Sequence, residues 1–226
     1  MAQIEVKNVT KVYSLGNEHL KAVDNVSLAV DKGEFLSIVG HSGSGKTTLL
    51  SIIGGITTPT SGNILFNGKD INKFSSNELS EYRCVSVGFM FQFASLLPVL
   101  TAKENLMLPN LFRNKKLPTE SVEKKAEELI RMVGLGDKIN AYPSQLSGGQ
   151  QRRIAIARAF MNDPEVILAD EPTGDLDEET EIEMMQFFKS MNKKNNITFI
   201  MVTHNNDLAM QTDRRLRMVS GSIHEL

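Results

Sequence analysis

"GHSGSGKT", residues 40–47, has the spacing G-x-x-x-x-G-K-[ST] and lies between a short apolar run, "EFLSIVG", and a helix-forming run, "TTLLSIIGG". A strand that turns through glycines into a helix is the setting a phosphate loop requires. Gly40, Gly43 and Gly45 let backbone N–H groups approach phosphate oxygens, and the N terminus of the helix adds positive potential. Lys46 is expected to hold the β and γ phosphates of a bound nucleotide and Thr47 to ligate Mg²⁺, with Ser42, Ser44 and Thr48 in the same binding segment. A glycine-rich turn with an incidental lysine would leave the flanking strand and helix unexplained.

On the N-terminal side, "IEVKNV" and "AVDNVSLAV" alternate apolar and polar residues and read as half-buried antiparallel strands joined by the turn-like "SLGNEH". On the C-terminal side the helix ends at Gly54 and Gly55, "TTPTSG" is a turn, and "NILFNGKDI" is a strand with a corner at Asn67 and Gly68. "SSNELSEYR" reads as a short helix with Ser75 and Glu78 at capping-box spacing. In the middle third, "PTESVEKKAEELIRMVGLG" places Val122, Ala126, Leu129 and Val133 on one helical face and stops at Gly134. Strand character returns in "EVILAD", followed by an amphipathic helix around Ile182, Met185 and Phe188, then "ITFIMVTH". "RRLRMVSGSIHEL" closes as a hairpin turning at Ser220 and Gly221. Apolar strands alternating with helices imply an α/β fold whose mainly parallel sheet is covered on both faces.

Lys and Arg number 25 against 27 Asp and Glu, a net charge of -2, so no overall electrostatic footprint for nucleic acid exists and no such partner is expected. Cys84 is the single cysteine and the four histidines show no metal-ligand spacing with it, which points to a reducing, cytoplasmic setting. "MAQIEVKNVT" carries charge early and no apolar run, unlike a signal peptide. "VSVGFMFQFASLLPVLTA", residues 85–102, is free of charge and enters the length range of a membrane span. Gln92, Ser95 and Pro98 argue instead for a sheet-buried strand followed by an apolar loop. The methionines, Met184 and Met185 among them, read as core filler.

"VILADE", residues 166–171, ends an apolar run in two carboxylates, which puts Asp170 and Glu171 at the carboxyl end of a buried strand, where ligands of open α/β sheets gather. Asp170 is expected to hold Mg²⁺ through its water shell, and Glu171 to face the γ phosphate and polarise a water molecule. By itself such a strand end is as readily a solvated turn; beside a phosphate loop the catalytic reading is favoured. "LSGGQ", residues 146–150, supplies a second anion cradle, because the Ser147 hydroxyl and the N–H groups of Gly148 and Gly149 stand at a helix start.

"LSGGQQRRIAIARA" followed by "VILADEPTGDLD" and "VTH" resembles the ATP-binding cassette family, the ATPase subunits of ABC transporters, and the resemblance runs the whole length in order. It implies a phosphate-loop NTPase core of the RecA-like type in a single domain, residues 1–226. The core spans 1–92 and 161–226 with an antiparallel N-terminal β part, and a helical subdomain is inserted at about 93–160. It further implies that Gln92, inside "FMFQFASLLP", senses Mg²⁺ and the membrane partner, that Gly174 to Asp177 form the D-loop, that His204 is the switch histidine, and that Tyr13 stacks on adenine. On the residues alone Tyr13 is an edge-strand aromatic, Gln92 a polar strand end and His204 a strand cap; their order and spacing within the family favour the functional roles. Ser147, Gly148, Gly149 and Gln150 would bind the γ phosphate of the ATP held by another copy's Lys46, so that two chains close over two ATP.

Residues 93–100 are the expected docking surface for integral membrane subunits, since "SLLPVLTAKENLMLP" is too apolar to sit comfortably in water. Around this loop the sequence is similar to the lipoprotein-release and macrolide-exporter ATPase branch. The expected function is hydrolysis of ATP to ADP and phosphate that drives conformational change in transmembrane partners, with the chain peripheral on the inner face of the cell membrane. A cassette ATPase regulating a membrane or division complex is the alternative; a phosphate-loop kinase or switch would have no use for LSGGQ. Three residues depart from the family's habit: His41 in place of proline, Asp175 in place of alanine or asparagine, and Arg152 in place of glutamine. None removes a phosphate or metal ligand, and Asp175 adds negative charge near the expected dimer seam.

Overall fold

A computed structural model describes residues 2–16 and 18–226. β1 (Ala2–Leu15) and β2 (Glu18–Asp31) form one long antiparallel hairpin with several register shifts, so both expected strands extend toward each other. The expected turn over residues 14–19 includes Asn17, which lies outside the described residues. β4 (Ser61–Phe66) pairs antiparallel with β1, and the short β5 (Lys69–Asp70) with β4, giving a sheet in the order β2-β1-β4-β5. The second sheet holds β3 (Phe35–Val39), β6 (Val87–Met90), β7 (Val166–Asp170), β8 (Thr198–Thr203), β9 (Arg214–Val219) and β10 (Ser222–Glu225) in the order β10-β9-β3-β8-β7-β6. Its neighbours are parallel except for the terminal β9–β10 hairpin.

The second sheet separates two apolar cores, and its strands supply both by simple alternation. Leu36 and Ile38 of β3, Val166 and Leu168 of β7, and Ile200 and Val202 of β8 face the core shared with the first sheet. α1 (Lys46–Ile53) adds Leu49, Leu50, Ile52 and Ile53 to that core. Phe35, Ile167, Ala169, Phe199 and Met201 point the other way, into a core closed by helices. Those strands therefore read as continuous apolar runs, with no polar face to write into the sequence.

Among the described residues five helices close the second core, and a sixth lies at the margin of the first, where Leu79 packs. α2 (Ser76–Glu81) starts at the expected capping box, with Ser75 and Glu78 bonded reciprocally. α4 (Thr119–Met132) buries Val122, Ala126, Leu129 and Ile130 and ends before Gly134, whose φ of +74 suits the left-handed turn after a helix. α5 (Gly148–Ala159) follows the LSGGQ serine, and α6 (Glu178–Asn195) buries Met184, Met185, Phe187, Phe188 and Met191. Ile182, expected on the buried face of α6, is exposed; the apolar stripe begins two residues later at Met184. α3 (Ala102–Leu111) was not anticipated, although Thr101 and Glu104 form the same capping box as Ser75 and Glu78. A four-residue helix, α7 (Asn206–Ala209), follows β8.

Within residues 85–102 the expected buried strand is β6, entered from a π-helical turn (Tyr82–Ser86), and the expected apolar loop leads to α3; no helix among the described residues is long and apolar enough to cross a membrane. The loop is fastened by the buried Asn105 amide. Its Oδ1 accepts from Leu97 N at 2.8 Å, and Nδ2 donates to the carbonyls of Leu97, Leu100 and Thr101 at 3.0–3.1 Å. Removing the amide leaves buried backbone groups unmatched, so Asn105→Ala is expected to lower unfolding stability by about 2 kcal/mol. Urea denaturation reads this as a lower midpoint at unchanged slope; a midpoint equal to the parent's would contradict the fastening role.

Candidate functional site

The register of the second sheet brings four strand ends to one edge. Val39 stands opposite Thr203, Val202 opposite Asp170, and Ala169 opposite Met90. The next residues out are therefore the loop beginning at Gly40, His204, Glu171 and, one further along, Gln92. They border a cavity of about 790 Å³, within the usual range for small-ligand sites. Tyr13, Leu20 and Ala22 of the β1–β2 hairpin form its opposite wall.

The loop's shape follows from its glycines. Gly45 has φ +107, and a Cβ there would lie 2.0 Å from the Ala22 carbonyl oxygen; Gly43 has φ +78. Gly40 meets the same limit against the Met218 carbonyl. Glycine is thus required to seat the loop against the hairpin and β9, in addition to any approach of phosphate. Lys46 is buried and its Nζ donates to the carbonyls of Gly40 at 2.7 Å and His41 at 3.0 Å. Burial draws its proton affinity below the ordinary lysine value, opposed by the charges of Glu171 and Asp170. Gly45 caps α1 without a side chain, and the buried Ser44 hydroxyl has no partner. The first turn of α1 therefore presents unmatched donors beside an ammonium, a donor set suited to a polyphosphate. Ser42, Thr47 and Thr48 line the same cavity.

Asp170 is buried and its carboxylate accepts from the Thr47 hydroxyl. Desolvation raises its pKa and Glu171 adds to the rise, against the Thr47 hydrogen bond and the charges of Lys46 and Arg152. Glu171 has φ +45, a left-handed backbone rare outside glycine. Its N–H donates to Val202 O at 3.0 Å, its Oε2 accepts from Thr203 Oγ1 at 3.0 Å, and its Oε1 lies 2.9 Å from His204 Nδ1. That contact uses Nδ1 of His204 and leaves the other ring nitrogen free for the cavity. Among the described residues no group of three His, Cys, Asp or Glu side chains converges on one point. The Thr47 and Asp170 oxygens are hard, few and adjacent, which suits a small divalent ion completed by phosphate and water.

The expected site residues do not all meet. Ser147, Gly148, Gly149 and Gln150 lie outside this cavity at the start of α5, where Ser147 Oγ accepts from Gln150 N at 3.2 Å and Gln150 Oε1 from Ser147 N at 2.9 Å. Asp177 is also outside it, capping α6 through Thr180 N at 2.9 Å and Thr180 Oγ1 at 2.8 Å. Tyr13 lines the cavity with Lys11 Nζ 5.1 Å from its ring centroid. Thr203, Leu20 and Ala22 escaped the sequence reading. Thr203 was legible within "VTH", whereas Leu20 and Ala22 carry no local signal of a site. Arg152, noted only as a departure, is buried with every observed donor on a backbone carbonyl.

Residues 23–174, more than half of the chain, match the family model described as ABC transporter. The chain is 40% identical to the lipoprotein-releasing system ATP-binding protein LolD 1 of Rhodopseudomonas palustris, over 97% of each chain. It is 39% identical to the macrolide export ATP-binding/permease protein MacB of Rhodopirellula baltica, covering 98% of this chain and 32% of that relative. Among solved structures it is similar to the ATP-binding cassette MJ0796 in a dimeric post-hydrolysis state bound to ADP and Pi, with a TM-score of 0.93, 41% identity and coverage of 99% and 98%. By sequence along nearly its whole length and by the arrangement of its phosphate loop, strand-end carboxylates and LSGGQ helix, the chain belongs to the ABC transporter family.

Proposed function

We propose that this chain is the ATP-binding and ATP-hydrolysing subunit of an ABC transporter complex, closing with a second cassette subunit around two ATP to move integral membrane partners. The observation that carries the reading is the shared sheet edge, where Lys46, Asp170, Glu171 and His204 surround one cavity between the phosphate loop and the Tyr13 hairpin. The second is the placement of Ser147 and Gly148, an exposed cradle outside that cavity. A phosphate bound there has to be presented by another molecule, and a second copy carries one on its own Lys46. The dimeric MJ0796 structure with ADP and Pi supports this geometry. In this reading residues 1–92 and 161–226 form the nucleotide-binding core with its β part, and about 93–160 the helical subdomain, within which α3, α4 and α5 pack together.

The chemistry then falls to named groups. Gly40, Ser42, Gly43, Ser44, Gly45, Thr47 and Thr48 surround the phosphates with backbone and hydroxyl donors, Lys46 pairs with the β and γ phosphates, and Tyr13 covers the adenine. Thr47 and Asp170, with Gln92, would hold Mg²⁺, which when bound neutralises phosphate charge. The Glu171 carboxylate, oriented by Thr203 and His204, takes a proton from the attacking water as its oxygen bonds to the γ phosphorus and the bond to the ADP oxygen breaks. Only as the imidazolium does His204 donate both to Glu171 from Nδ1 and toward the γ phosphate from its second ring nitrogen. Departure of phosphate removes the group shared between Lys46 and the opposing LSGGQ, and the dimer loosens.

The membrane partner has a surface to meet. Phe93, Val99 and Phe112 are exposed by 74%, 77% and 70%, and Phe112 also lines a groove of about 470 Å³ with Phe89, Phe91, Leu108, Arg83 and Arg158. This apolar surface extends the docking region beyond residues 93–100 to the end of α3. With the likeness to LolD and MacB, it supports a place in lipoprotein release or export at the cytoplasmic side of a membrane.

Glu171→Gln is expected to leave ATP binding intact, slow hydrolysis about 100-fold or more, and accumulate an ATP-bound dimer on size exclusion. Parental turnover in this variant would remove Glu171 from the proton transfer. Lys46→Ala should weaken ATP binding and Ser147→Arg should block the opposing cradle, each abolishing hydrolysis alone. Mixing the two proteins rebuilds one intact composite site, so steady-state ATPase activity should return; a mixture as inactive as its components would overturn the shared site.

A further inference from the structure

α5 buries a guanidinium about one and a half turns after Ser147. Arg152 is only 3% exposed. Its Nε donates to Pro172 O at 2.8 Å, and its Nη2 to the carbonyls of Glu171 and, at 3.4 Å, Asp170. Its Nη1 donates to the carbonyls of Phe91 and Gln92. One planar fork therefore closes on two separate loops, the one after β7 and the one after β6. Burying a cation is unfavourable unless its donors are matched, and here backbone carbonyls match them, with Asp175, Asp170 and Glu171 adding favourable potential.

The geometry at Glu171 shows what such a grip does. A left-handed φ of +45 is held only where the surroundings fix the peptide units on both sides. On one side the Glu171 N–H is bonded to Val202 O; on the other, its carbonyl is bonded to Arg152. The carboxylate is thereby aimed at Thr203 and His204 and toward the cavity. A glutamine at position 152 is shorter and could serve one of these loops, and a lysine would keep the charge but not the fork.

We propose that Arg152 is a positioning residue for hydrolysis, holding Glu171 in its working backbone conformation and fixing it relative to the LSGGQ end of its own helix. This rests on the role given to Glu171 above. Arg152 touches no reacting atom; it acts through the Glu171 carbonyl. Because the same guanidinium holds Gln92, the loop toward the apolar groove is fixed to the same point.

Single-turnover ATP hydrolysis and ATP affinity are measured for the parent, Arg152→Lys, Arg152→Gln, Glu171→Gln and each Arg152 change combined with Glu171→Gln. The expected result is a fall in hydrolysis of about 10- to 100-fold for the Arg152 variants, as a misplaced group produces. ATP affinity should stay within about threefold of parental, a loss confined to the transition state. In the Glu171→Gln background the same Arg152 changes should cost nothing further, since the residue they misplace no longer takes a proton; a merely structural lesion would multiply instead. Arg152→Lys, which keeps the buried charge, carries the comparison should Arg152→Gln fail to fold. Parental hydrolysis in Arg152→Lys, or an undiminished loss in the Glu171→Gln background, overturns the positioning role while leaving the ATPase reading intact. A parent protein that binds no ATP overturns both.

Discussion

The structure depends on one constraint: four parallel strands, β3, β8, β7 and β6, end together at one edge of a sheet whose faces are both buried. Burial on both faces leaves the strand interiors little room for polar chemistry, so the reactive groups of this sheet gather at its strand ends, as Asp170 does at the end of β7, or just beyond them. Gly40 follows β3, His204 follows β8, Glu171 follows β7 and Gln92 comes shortly after β6. Neighbouring strands stand about 4.8 Å apart, so three intervals set the phosphate loop and Gln92 about 14 Å from each other across the edge. That span accommodates a polyphosphate lying along the strand ends, and side-chain rotamers have only to refine it.

Burial disfavours the charges gathered at this edge. Desolvation lowers the proton affinity of Lys46 and raises that of Asp170, so each ion is disfavoured in its own way. The backbone relieves part of this, with two carbonyls on Lys46 and a hydroxyl on Asp170. In the proposed cycle a polyphosphate satisfies the ammonium and a divalent ion satisfies the carboxylate, and binding to the folded state alone then raises its stability. In that reading the site supplies half of an ion pair network and the ligand the other half.

Much of this was legible because the signals were local. The phosphate loop, the apolar runs of β3, β7 and β8, the α4 stripe and both ends of the closing hairpin all lie within a few residues of their causes. α3 was hidden by its composition: Asn105 is buried for its amide and Pro109 sits inside the helix, so the apolar spacing is broken even though the Thr101–Glu104 cap marks the start. Ile182 misled for the opposite reason, an apolar residue at helical spacing that faces outward. Leu20 and Ala22 reach the cavity only through the packing of the hairpin on the phosphate loop, where Gly45 lies against the Ala22 carbonyl. Arg152 and Arg153 are identical neighbours in sequence, and no spacing rule states which one the fold buries.

α5 shows why that last distinction matters. Its twelve residues make a rod about 18 Å long. Ser147 caps one end, Arg152 holds the loops after β6 and β7 from the middle, and Arg158 near the other end donates to the carbonyls of Ala94 and Ser95 at 3.0 Å. A packed helix does not bend continuously under small loads, so displacement at one end is delivered along its length. In the proposed cycle the opposing nucleotide engages the Ser147 end only when the dimer closes, and the loop beside the apolar groove is tied to the same rod. In that proposed cycle, closure of the dimer, placement of Glu171 and the position of the groove loop would be three readings of one rigid element, so that loss of one phosphate would be felt at the proposed docking surface.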